Sequence, residues 1–334
     1  MRCRGADGDR AAGLAGGDGL KRAWGLPLVP LYRAGLGLKG LFAGEPKRLA
    51  WPVVSVGSLS AGGAGKTPVV KALAGVLGRM GVQVDVLSRG YGRSSKAIER
   101  VDADGDAQRF GDEPMELARA GVEVFVGADR YAAGLMAEAQ GGQGVHLLDD
   151  GFQHRRLARD LDVVLLTAQD VGDSLLPAGD LREPLRALAR ADVIVLREDE
   201  AAELQAWLSA RGLRAEVWVV RRRLSLPADM PSRPVAFCGI ARPEGFFAGL
   251  VEAGFTPRVR IAFADHQKYG IAEIERLAEA AKLLRADGFV TTAKDEVKLT
   301  GPLRTLLETA GPIRAAELRV EMVDEEAVRR RLRF

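Results

Sequence analysis

Short apolar runs alternate with longer amphipathic stretches along most of the chain. Val82–Leu87 and Val145–Leu148 have the length of strands, whereas Thr67–Met80 repeats its apolar positions at helical spacing. Such alternation predicts βαβ units in a largely parallel sheet whose strands end at one ligand-binding edge. The predicted elements in this part are strands Pro52–Val56, Val82–Leu87, Val122–Val126, Val145–Leu148, Leu161–Thr167 and Val193–Leu196, and helices Thr67–Met80 and Asp129–Ala139.

A second αβ section follows a change in composition. Arg221–Arg233 is rich in Arg, Pro, Ser and Leu, which predicts a linker. The elements predicted beyond it are strands Val235–Cys238, Val259–Phe263 and Gly288–Thr292, and helices Pro243–Ala253 and Ile271–Leu284.

The N-terminal part contains one candidate helix, Leu28–Phe42. On a helical wheel its apolar residues share a face with Arg33 opposite, although Lys39 falls inside that face. This pattern suits a helix lying in a membrane surface, and it equally suits a helix packed on the next domain. Residues 1–20 have no periodicity and predict a disordered extension. The residues of the apolar face are Leu28, Leu31, Tyr32, Gly35, Leu38 and Phe42.

Composition excludes several classes of protein. A chain of 334 residues that is 47% hydrophobic and 28% charged is not a disordered polymer, a collagen or a coiled coil. The net charge is +3, but residues 1–50 alone carry +5, so the basic excess belongs to one end and argues against a nucleic-acid partner. Cys3 and Cys238 lie too far apart in the sequence to suggest a disulfide scaffold or a zinc site.

The strongest chemical signal is Val53–Thr67, VVSVGSLSAGGAGKT, in which a strand leads through a Gly-rich loop into a helix. This context predicts a phosphate-binding loop, in which backbone N–H groups and the helix N-terminus face phosphate oxygens. Lys66 would reach the β- and γ-phosphates, and the Thr67 hydroxyl would ligate Mg²⁺. Ser60 stands where the GxxxxGK[ST] pattern has glycine. The loop residues are Ser60, Ala61, Gly62, Gly63, Ala64 and Gly65.

A second signal is Val145–His154, VHLLDDGFQH, in which a strand ends in Asp149 and Asp150. Paired acids at a strand end resemble a Walker B arrangement, where one carboxylate binds Mg²⁺ and the other orients it. A turn with solvated acids has the same pattern, because Asp-Gly is a turn dipeptide.

Three further segments have two interpretations each. Asp112 in Gly111–Pro114 is placed to receive a hydroxyl proton, or it is the N-cap of a helix with Pro114 just inside it. His266 beside Asp265 can share a proton, or it lies in a surface turn. Arg89 in Ser88–Gly92 can cover a substrate, or the segment is a simple turn.

Taken together, these motifs resemble one family, the tetraacyldisaccharide 4′-kinases of lipid A synthesis. The resemblance runs in family order from about Leu28 to Leu299. The matching segments are SAGGAGKTP (Ser60–Pro68), SRGYG (Ser88–Gly92), GDEP (Gly111–Pro114), ADR (Ala128–Arg130), DDGFQHRRLARDLDVVLL (Asp149–Leu166), LLPAGDLREPL (Leu175–Leu185), FCGIARPEGFF (Phe237–Phe247), ADHQKY (Ala264–Tyr269) and TTAKDEVKL (Thr291–Leu299).

The resemblance implies ATP- and Mg²⁺-dependent phosphorylation of the 4′-hydroxyl of tetraacyldisaccharide 1-phosphate. It implies Asp112 as the base, His266 as its partner and Lys66 as the γ-phosphate contact. The implied Mg²⁺ shell is Thr67, Asp149 and Asp150, with Glu113 nearby. Gln267 departs from the family's usual second histidine, whereas Ser60 agrees with the hydroxyl residue usual there. Further substrate or supporting positions are Arg89, Arg130, Gln153, His154, Arg182 and Glu183.

The resemblance also implies an architecture and a location. We expect a P-loop NTPase-type, mostly parallel α/β sheet, a smaller α/β domain and an N-terminal amphipathic helix at the cytoplasmic face of the bacterial inner membrane. The expected protein is a monomer that binds a lipid substrate and a membrane surface. Roughly the last 20 residues can pack back on the kinase domain. The expected divisions are an extension (1–20), the membrane-associated helix (21–48), the P-loop kinase domain (49–225) and the smaller domain (226–334).

Rival classes lack their own signatures in this chain. Partition-type ATPases carry a lysine where this loop has Ala61, and GTPases need an NKxD motif that Ala293–Glu296 does not supply. A purely structural membrane-associated protein would leave the Gly-rich loop and the paired acids unexplained.

Overall fold

Twelve strands form one continuous sheet in the computed structural model, which describes residues 22–41 and 44–334. The strands are β1 (Val53–Ser58), β2 (Gln83–Ser88), β3 (Glu99–Arg100), β4 (Glu123–Val126), β5 (Gly144–Asp149), β6 (Leu161–Leu165), β7 (Val193–Arg197), β8 (Glu216–Ser225), β9 (Val235–Cys238), β10 (Val259–Ala262), β11 (Phe289–Thr292) and β12 (Ile313–Met322).

Helices cover both faces of this sheet. The α-helices are α1 (Val29–Leu41), α2 (Lys66–Arg79), α3 (Ala107–Phe110), α4 (Asp112–Arg119), α5 (Arg130–Glu138), α6 (Ala168–Val171), α7 (Ala201–Ala210), α8 (Pro243–Glu252), α9 (Ile271–Leu284), α10 (Ala293–Glu296), α11 (Gly301–Glu308) and α12 (Glu325–Arg331). Two 3₁₀ segments, Ala23–Leu28 and Leu185–Arg190, complete the set of helices among the described residues.

The order across the sheet is β10-β9-β11-β12-β8-β7-β6-β1-β5-β2-β4-β3. Neighbouring strands are parallel except β12 with β8 and β3 with β4. The predicted, mostly parallel α/β fold is therefore confirmed. β1 lies between β5 and β6, so the loop that follows β1 emerges in the middle of the first half of the sheet.

Burial explains why the central segments fold as they do. Every residue of β1 is buried, as expected for a strand covered on both faces. α2 turns its apolar positions Val69, Leu73 and Leu77 into the same core. Val328 of α12 also lies in this core, so the end of the chain packs against the first half of the sheet.

The second half of the sheet has its own aromatic core. Phe237 contacts Phe263, Tyr269 and Phe289 in edge-on arrangements. β12 joins the two halves, because its first residues pair with β11 and Glu317–Met322 pair with β8.

Two sequence-based boundaries differ from the structure. The linker predicted at Arg221–Arg233 is wrong over its first residues, because β8 continues to Ser225. α1 begins at Val29 and ends at Leu41, whereas Phe42 and the predicted extension at residues 1–20 lie outside the described residues. The residues predicted to form one apolar face of this helix do not all pack inward. Tyr32 packs inward beside Val29, while Leu31 is 73% exposed.

At the opposite end of the strands from the Gly-rich loop, His146 lies fully buried between two acids. Its Nδ1 is 2.8 Å from Asp85 Oδ1, and its Nε2 is 3.4 Å from Glu138 Oε1. The Trp51 ring stacks on the imidazole at 5.0 Å between centroids. Burial raises the pKa of Asp85, which the hydrogen bond and charge of His146 oppose. The imidazole therefore holds adjacent strands β2 and β5 together through a buried polar contact.

Replacing His146 with Phe should lower the free energy of unfolding by about 3 kcal/mol, because Asp85 would stay buried without its partner. Urea unfolding measures the loss. His146→Gln, which keeps one donor, should recover part of it. An unchanged urea midpoint in His146→Phe would contradict this account of the network.

Candidate active site

A cleft of about 1180 Å³ opens at the carboxyl ends of the parallel strands. The first half of the sheet supplies most of its wall, and Asp265 and His266 come from the second half. The predicted residues that line it are Ala61, Gly62, Lys66, Arg89, Glu113, Arg130, Asp149, Asp150, Gln153, His154, Arg182, Glu183 and His266. The predicted residues outside its lining are Ser60, Gly63, Ala64, Gly65, Thr67 and Asp112.

The Gly-rich loop has the backbone geometry that its sequence predicts. Gly62, Gly63 and Gly65 have φ values of 82°, 67° and 86°, a region that side chains disfavour. Lys66 is the first residue of α2, and Thr67 beside it is buried. The loop therefore wraps the N-terminus of a 14-residue helix, which is the arrangement that binds phosphate groups.

Residues of the second half of the sheet lie over this loop. A Cβ on Gly63 would stand 2.7 Å from Arg242 Nε, and one on Gly62 would stand 3.9 Å from Asp265 Oδ2. A Cβ on Gly63 would displace the Arg242 side chain, so this glycine serves the close approach as well as the turn, whereas a Cβ on Gly62 would make an ordinary van der Waals contact.

The paired acids at the end of β5 have different environments. Asp149 is buried, and its Oδ1 has no hydrogen-bond partner among the described residues. Burial, together with the charges of Glu113 and Asp150, raises the pKa of Asp149. Burial would also raise the pKa of Asp150, but Arg182 and Lys66 outweigh it and lower that pKa to about 2. One carboxylate is thus already paired, while the other has an oxygen free to accept a ligand.

Arg182 ties the Gly-rich loop to the paired acids. Its two terminal nitrogens each lie 2.7 Å from an oxygen of Asp150, and one also donates to the Ser58 carbonyl at 3.2 Å. Lys66 Nζ is 3.5 Å from Asp150 Oδ1. Gln153 Nε2 donates to the same Ser58 carbonyl at 3.0 Å. These bonds fix the end of β1 relative to the acids.

We expect the Arg182–Asp150 ion pair to contribute to the stability of the protein in a pH-dependent way. Since the pKa of Asp150 is lower in the folded protein than its ordinary 3.8, its stabilisation is present above that value and is lost as the pH falls to about 2. Arg182→Gln should cost about 1 kcal/mol at neutral pH, a figure reduced for screening because the Asp150 side chain is 36% exposed.

Urea unfolding at several pH values tests this dependence. The difference in free energy of unfolding between wild type and Arg182→Gln should decrease as the pH is lowered from about 4 toward 2. The exposed Arg186→Gln is the matched control. A difference in unfolding free energy that stays constant down to the lowest pH would contradict the proposed contribution of the Arg182–Asp150 pair.

Asp112 and His266 meet across the boundary between the two halves, although 154 positions separate them. His266 Nδ1 lies 3.2 Å from Asp112 Oδ2. Asp112 begins α4 after Gly111 (φ 99°), and His266 itself has a left-handed φ of 55°. The Tyr91 ring lies 5.4 Å from the imidazole. Asp112 is therefore the first residue of the helix rather than its N-cap, a position that Gly111 holds, and its carboxylate also contacts the histidine.

Two of the basic residues predicted at the cleft are shielded from solvent, since Arg130 is buried and His154 is half-buried. Burial and the neighbouring Arg89 lower the pKa of Arg130 to about 10, and its Nη1 donates to the Ala128 carbonyl at 2.9 Å. Burial and Arg130 lower the pKa of His154 to about 4, so this imidazole is neutral at physiological pH. A buried guanidinium beside a neutral imidazole can bind an anionic group of a substrate.

The carboxylate of Glu183 is held by arginines that the sequence did not single out. Arg190 Nη1 donates to it at 2.8 Å and Arg155 Nη2 at 3.1 Å, and Arg190 stacks on Phe152 at 4.4 Å. Two lysines were missed in the same way. Lys294 contacts Glu113 and Lys298 contacts Asp112. Their position directly after β11, at the same edge of the sheet as the other site residues, is the signal that could have identified them.

Comparison with known proteins identifies the family to which this site belongs. A family model described as tetraacyldisaccharide-1-P 4′-kinase (LpxK) matches residues 22–333. The chain belongs to the tetraacyldisaccharide 4′-kinase family. The family and enzyme class predicted from the motifs are confirmed, and the rival ATPase-switch, GTPase and purely structural interpretations are set aside.

Relatives of the tetraacyldisaccharide 4′-kinase family match over most of the chain. The protein named tetraacyldisaccharide 4′-kinase in Koribacter versatilis is 42% identical over 315 residues, covering 90% of this chain and 95% of the relative. The Geobacter metallireducens protein of the same name is 42% identical over 295 residues, covering 83% and 86%.

A solved structure supports the same family fold. The crystal structure of the "apo" form of LpxK from Aquifex aeolicus in complex with ATP superposes with a TM-score of 0.70 at 31% identity. The match covers 91% of this chain and 96% of that one.

Proposed function

We propose that this enzyme transfers the γ-phosphate of ATP to the 4′-hydroxyl of tetraacyldisaccharide 1-phosphate, a step of lipid A synthesis. One observation carries the proposal. A phosphate-binding loop and an Asp–His pair flank one cleft in a chain of the tetraacyldisaccharide 4′-kinase family. The loop suits the donor, and the pair suits an alcohol acceptor.

The residues around the loop fit ATP and Mg²⁺. Residues Ser60–Gly65 and the N-terminus of α2 would bind the triphosphate, with Lys66 on its γ-phosphate. Thr67, Asp149, Asp150 and Glu113 would hold Mg²⁺, and the unpartnered Oδ1 of Asp149 is the observation that favours this. When bound, Mg²⁺ neutralises charge on the phosphates. Within residues 22–41 and 44–334, no group of three or more His, Cys, Asp and Glu side chains is placed to hold a metal ion by itself.

Asp112 acts as the base in this proposal. Its carboxylate accepts the proton of the 4′-hydroxyl while the hydroxyl oxygen attacks phosphorus, and His266 orients it at 3.2 Å. Phosphoryl transfer requires little covalent chemistry from the protein, so most of the catalytic effect comes from positioning the reactants and stabilising charge. Water is excluded when the second half of the sheet, which carries His266, lies against the Gly-rich loop.

The remaining predicted residues support the substrates. Arg89 and Arg130 would bind the phosphate already present on the lipid. Arg182 and Gln153 hold the acids and the end of β1 in register, while His154 and Glu183 stabilise the wall of the cleft. We further propose that residues 49–225 form the kinase domain and residues 226–334 a smaller domain that closes on it.

We also propose that the enzyme, as a monomer, lies on the cytoplasmic face of the inner membrane through α1 and the 3₁₀ segment before it. Trp24 is 68% exposed and Leu31 is 73% exposed. Arg33 and Leu36 line the cleft, so the exposed apolar side chains stand beside the site that receives the lipid. No helix in the described ranges has both the length and the apolar character needed to cross a bilayer.

Removing two of these exposed side chains should weaken membrane binding. Trp24→Ser with Leu31→Ser should reduce partition onto phosphatidylglycerol-containing vesicles by roughly 10-fold or more, because both side chains lose apolar burial. Vesicle sedimentation measures the partition. Leu283→Ser, which changes an equally exposed leucine of α9, is the control. Equal sedimentation of all three proteins would contradict the anchor.

The decisive experiment for the activity is phosphate transfer. Purified enzyme is given ³²P-labelled ATP and tetraacyldisaccharide 1-phosphate in detergent micelles, with Lys66→Ala as the control. Labelled lipid with the wild type alone supports the proposal. Rapid ATP hydrolysis without any labelled lipid would overturn it.

A further inference from the structure

One loop contacts both the N-terminal helix α1 and the Gly-rich loop. This linking loop, Leu175–Arg182, follows α6 in the chain. Tyr32 Oη, on α1, donates to the Arg182 carbonyl at 3.0 Å. Tyr32 and Val29 also pack against the apolar cluster that contains Leu181. The inward side of α1 is therefore seated on the linking loop.

The 3₁₀ segment before α1 approaches the same linking loop closely. Gly25 is buried, and a Cβ built on it would stand 2.7 Å from the carbonyl carbon of Pro177 and 2.8 Å from the Ala178 nitrogen. A larger residue at this position would push the 3₁₀ segment away from the backbone of the loop. In addition, Arg22 Nη2 lies 3.9 Å from Asp180 Oδ1. The N-terminal part of the chain thus contacts the linking loop at several points.

The linking loop pairs in antiparallel fashion with the start of the Gly-rich loop. The Arg182 N–H donates to the Leu59 carbonyl at 2.7 Å, and the Ala61 N–H donates to the Asp180 carbonyl at 2.8 Å. Leu181, between these two bonds, is 2% exposed, and Leu59 is fully buried. The position of the linking loop therefore fixes where the Gly-rich loop begins.

The outward side of the same N-terminal part is apolar. Trp24 and Leu31 are exposed, whereas Val29 and Tyr32 face the protein. A bilayer that holds the exposed side chains restricts the helix that sits on the linking loop. A helix already restricted in this way loses less conformational freedom when ATP orders the Gly-rich loop, so the two binding events become cooperative.

We propose that Tyr32 is a positioning residue that couples α1 to the Gly-rich loop, so that membrane docking of α1 and ATP binding strengthen each other. This coupling rests on the proposed function, in which α1 binds the membrane and the Gly-rich loop binds ATP. Its consequence is that enzyme away from the membrane binds ATP less tightly than docked enzyme. By linkage, ATP raises the affinity of the enzyme for the membrane by the same factor.

Calorimetric titration with ATP and Mg²⁺, with and without phosphatidylglycerol-containing vesicles, measures the coupling. For the wild type, vesicles should tighten ATP binding by about 3- to 10-fold, the range that one hydrogen bond can transmit. In Tyr32→Phe the ring keeps its packing but the Arg182 carbonyl loses its donor, so this enhancement should disappear. Tyr131→Phe, which removes the hydroxyl of a half-buried tyrosine outside the cleft, should keep it. A merely structural defect would lower the ATP affinity equally with and without vesicles.

Gly25→Ala tests the same contact without changing Tyr32. Its Cβ must displace the 3₁₀ segment from the linking loop, which should also abolish the enhancement of ATP binding by vesicles. Gly35→Ala is the matched control, since a Cβ at that position has no heavy atom within 4 Å. Vesicle sedimentation gives the reciprocal readout, because ATP should raise the partition of the wild type and of the controls but not that of Tyr32→Phe or Gly25→Ala.

Hydrogen exchange followed by mass spectrometry reads the linking loop directly. In Tyr32→Phe the amides of Ala61 and Arg182 should exchange about 10-fold faster than in the wild type, because the contact that seats their backbone bonds is lost. Peptides from the second half of the sheet should exchange as in the wild type, and Tyr131→Phe should match the wild type throughout.

Several results would overturn the coupling. Equal ATP affinity of the wild type with and without vesicles would refute it, as would an enhancement that survives in Tyr32→Phe or an unchanged exchange rate at Ala61 in that variant. If Tyr32→Phe does not fold, Gly25→Ala and Gly35→Ala decide. A wild type that does not sediment with vesicles overturns the anchor and the coupling together. If the coupling is observed but no disaccharide is phosphorylated, the proposed activity fails while the role of Tyr32 stands.

Discussion

Asp112→Asn should bind ATP as the wild type does and transfer phosphate to the lipid at least about 10³-fold more slowly. The amide has nearly the shape of the carboxylate and still begins α4, but it cannot accept the hydroxyl proton. One oxygen of the carboxylate, Oδ2, contacts both His266 at 3.2 Å and Lys298 at 3.8 Å. The substitution therefore removes the chemistry while leaving the fold of this region largely in place.

Two measurements separate catalysis from binding for Asp112→Asn. Steady-state transfer gives kcat, and calorimetric titration gives the ATP affinity. Asp104→Asn, an exposed carboxylate on the loop before α3, should match the wild type in both. An Asp112→Asn enzyme with a near-normal rate of transfer would remove Asp112 from the role of base.

Lys66→Met is the substitution with the second largest expected effect, a fall of about 10²- to 10³-fold in kcat. The methionine keeps the apolar stem at the start of α2 but removes the charge that, in the proposed function, would contact the γ-phosphate. In the structure the ammonium lies 3.5 Å from Asp150, a contact that bound triphosphate would replace or share.

The control for Lys66→Met is Lys96→Met, which removes an exposed lysine between β2 and β3 that does not line the cleft. Initial rates at saturating ATP and lipid give kcat, and a binding titration gives the ATP affinity. Comparing the two shows whether Lys66 acts in turnover, in ATP binding or in both. A loss confined to ATP affinity, with kcat intact, would assign Lys66 to binding alone.

The first half of the site was predictable because its signals are local. The Gly-rich loop and the paired acids each follow an apolar strand directly, and parallel strands bring their carboxyl ends to one edge. The meeting of Asp112 with His266 was available from the family resemblance alone. Because 154 positions separate the two residues, neither the periodicity nor the motif spacing of the sequence predicts that they are in contact.

Other features escaped the sequence for identifiable physical reasons. β8 carries a run of arginines at Arg221–Arg223, which the composition assigned to a linker, but a strand exposed on part of its surface tolerates such residues. Leu31 and Tyr32 were predicted on one face of α1, but only Tyr32 packs inward, where its Oη donates to the Arg182 carbonyl at 3.0 Å, and Leu31 is exposed. The contact of Lys294 with Glu113 joins α10 to α4, two helices that lie far apart in the chain.

The position of β12 has a consequence for the order in which the molecule is assembled. Ile313–Ala316 pairs with β11 and Glu317–Met322 pairs with β8, so the sheet becomes continuous only when this late segment is in place. During synthesis, Asp112 and His266 both leave the ribosome before the strand that unites their halves of the sheet. The nascent enzyme thus holds all of its predicted site residues while the sheet that brings them together is still in two parts.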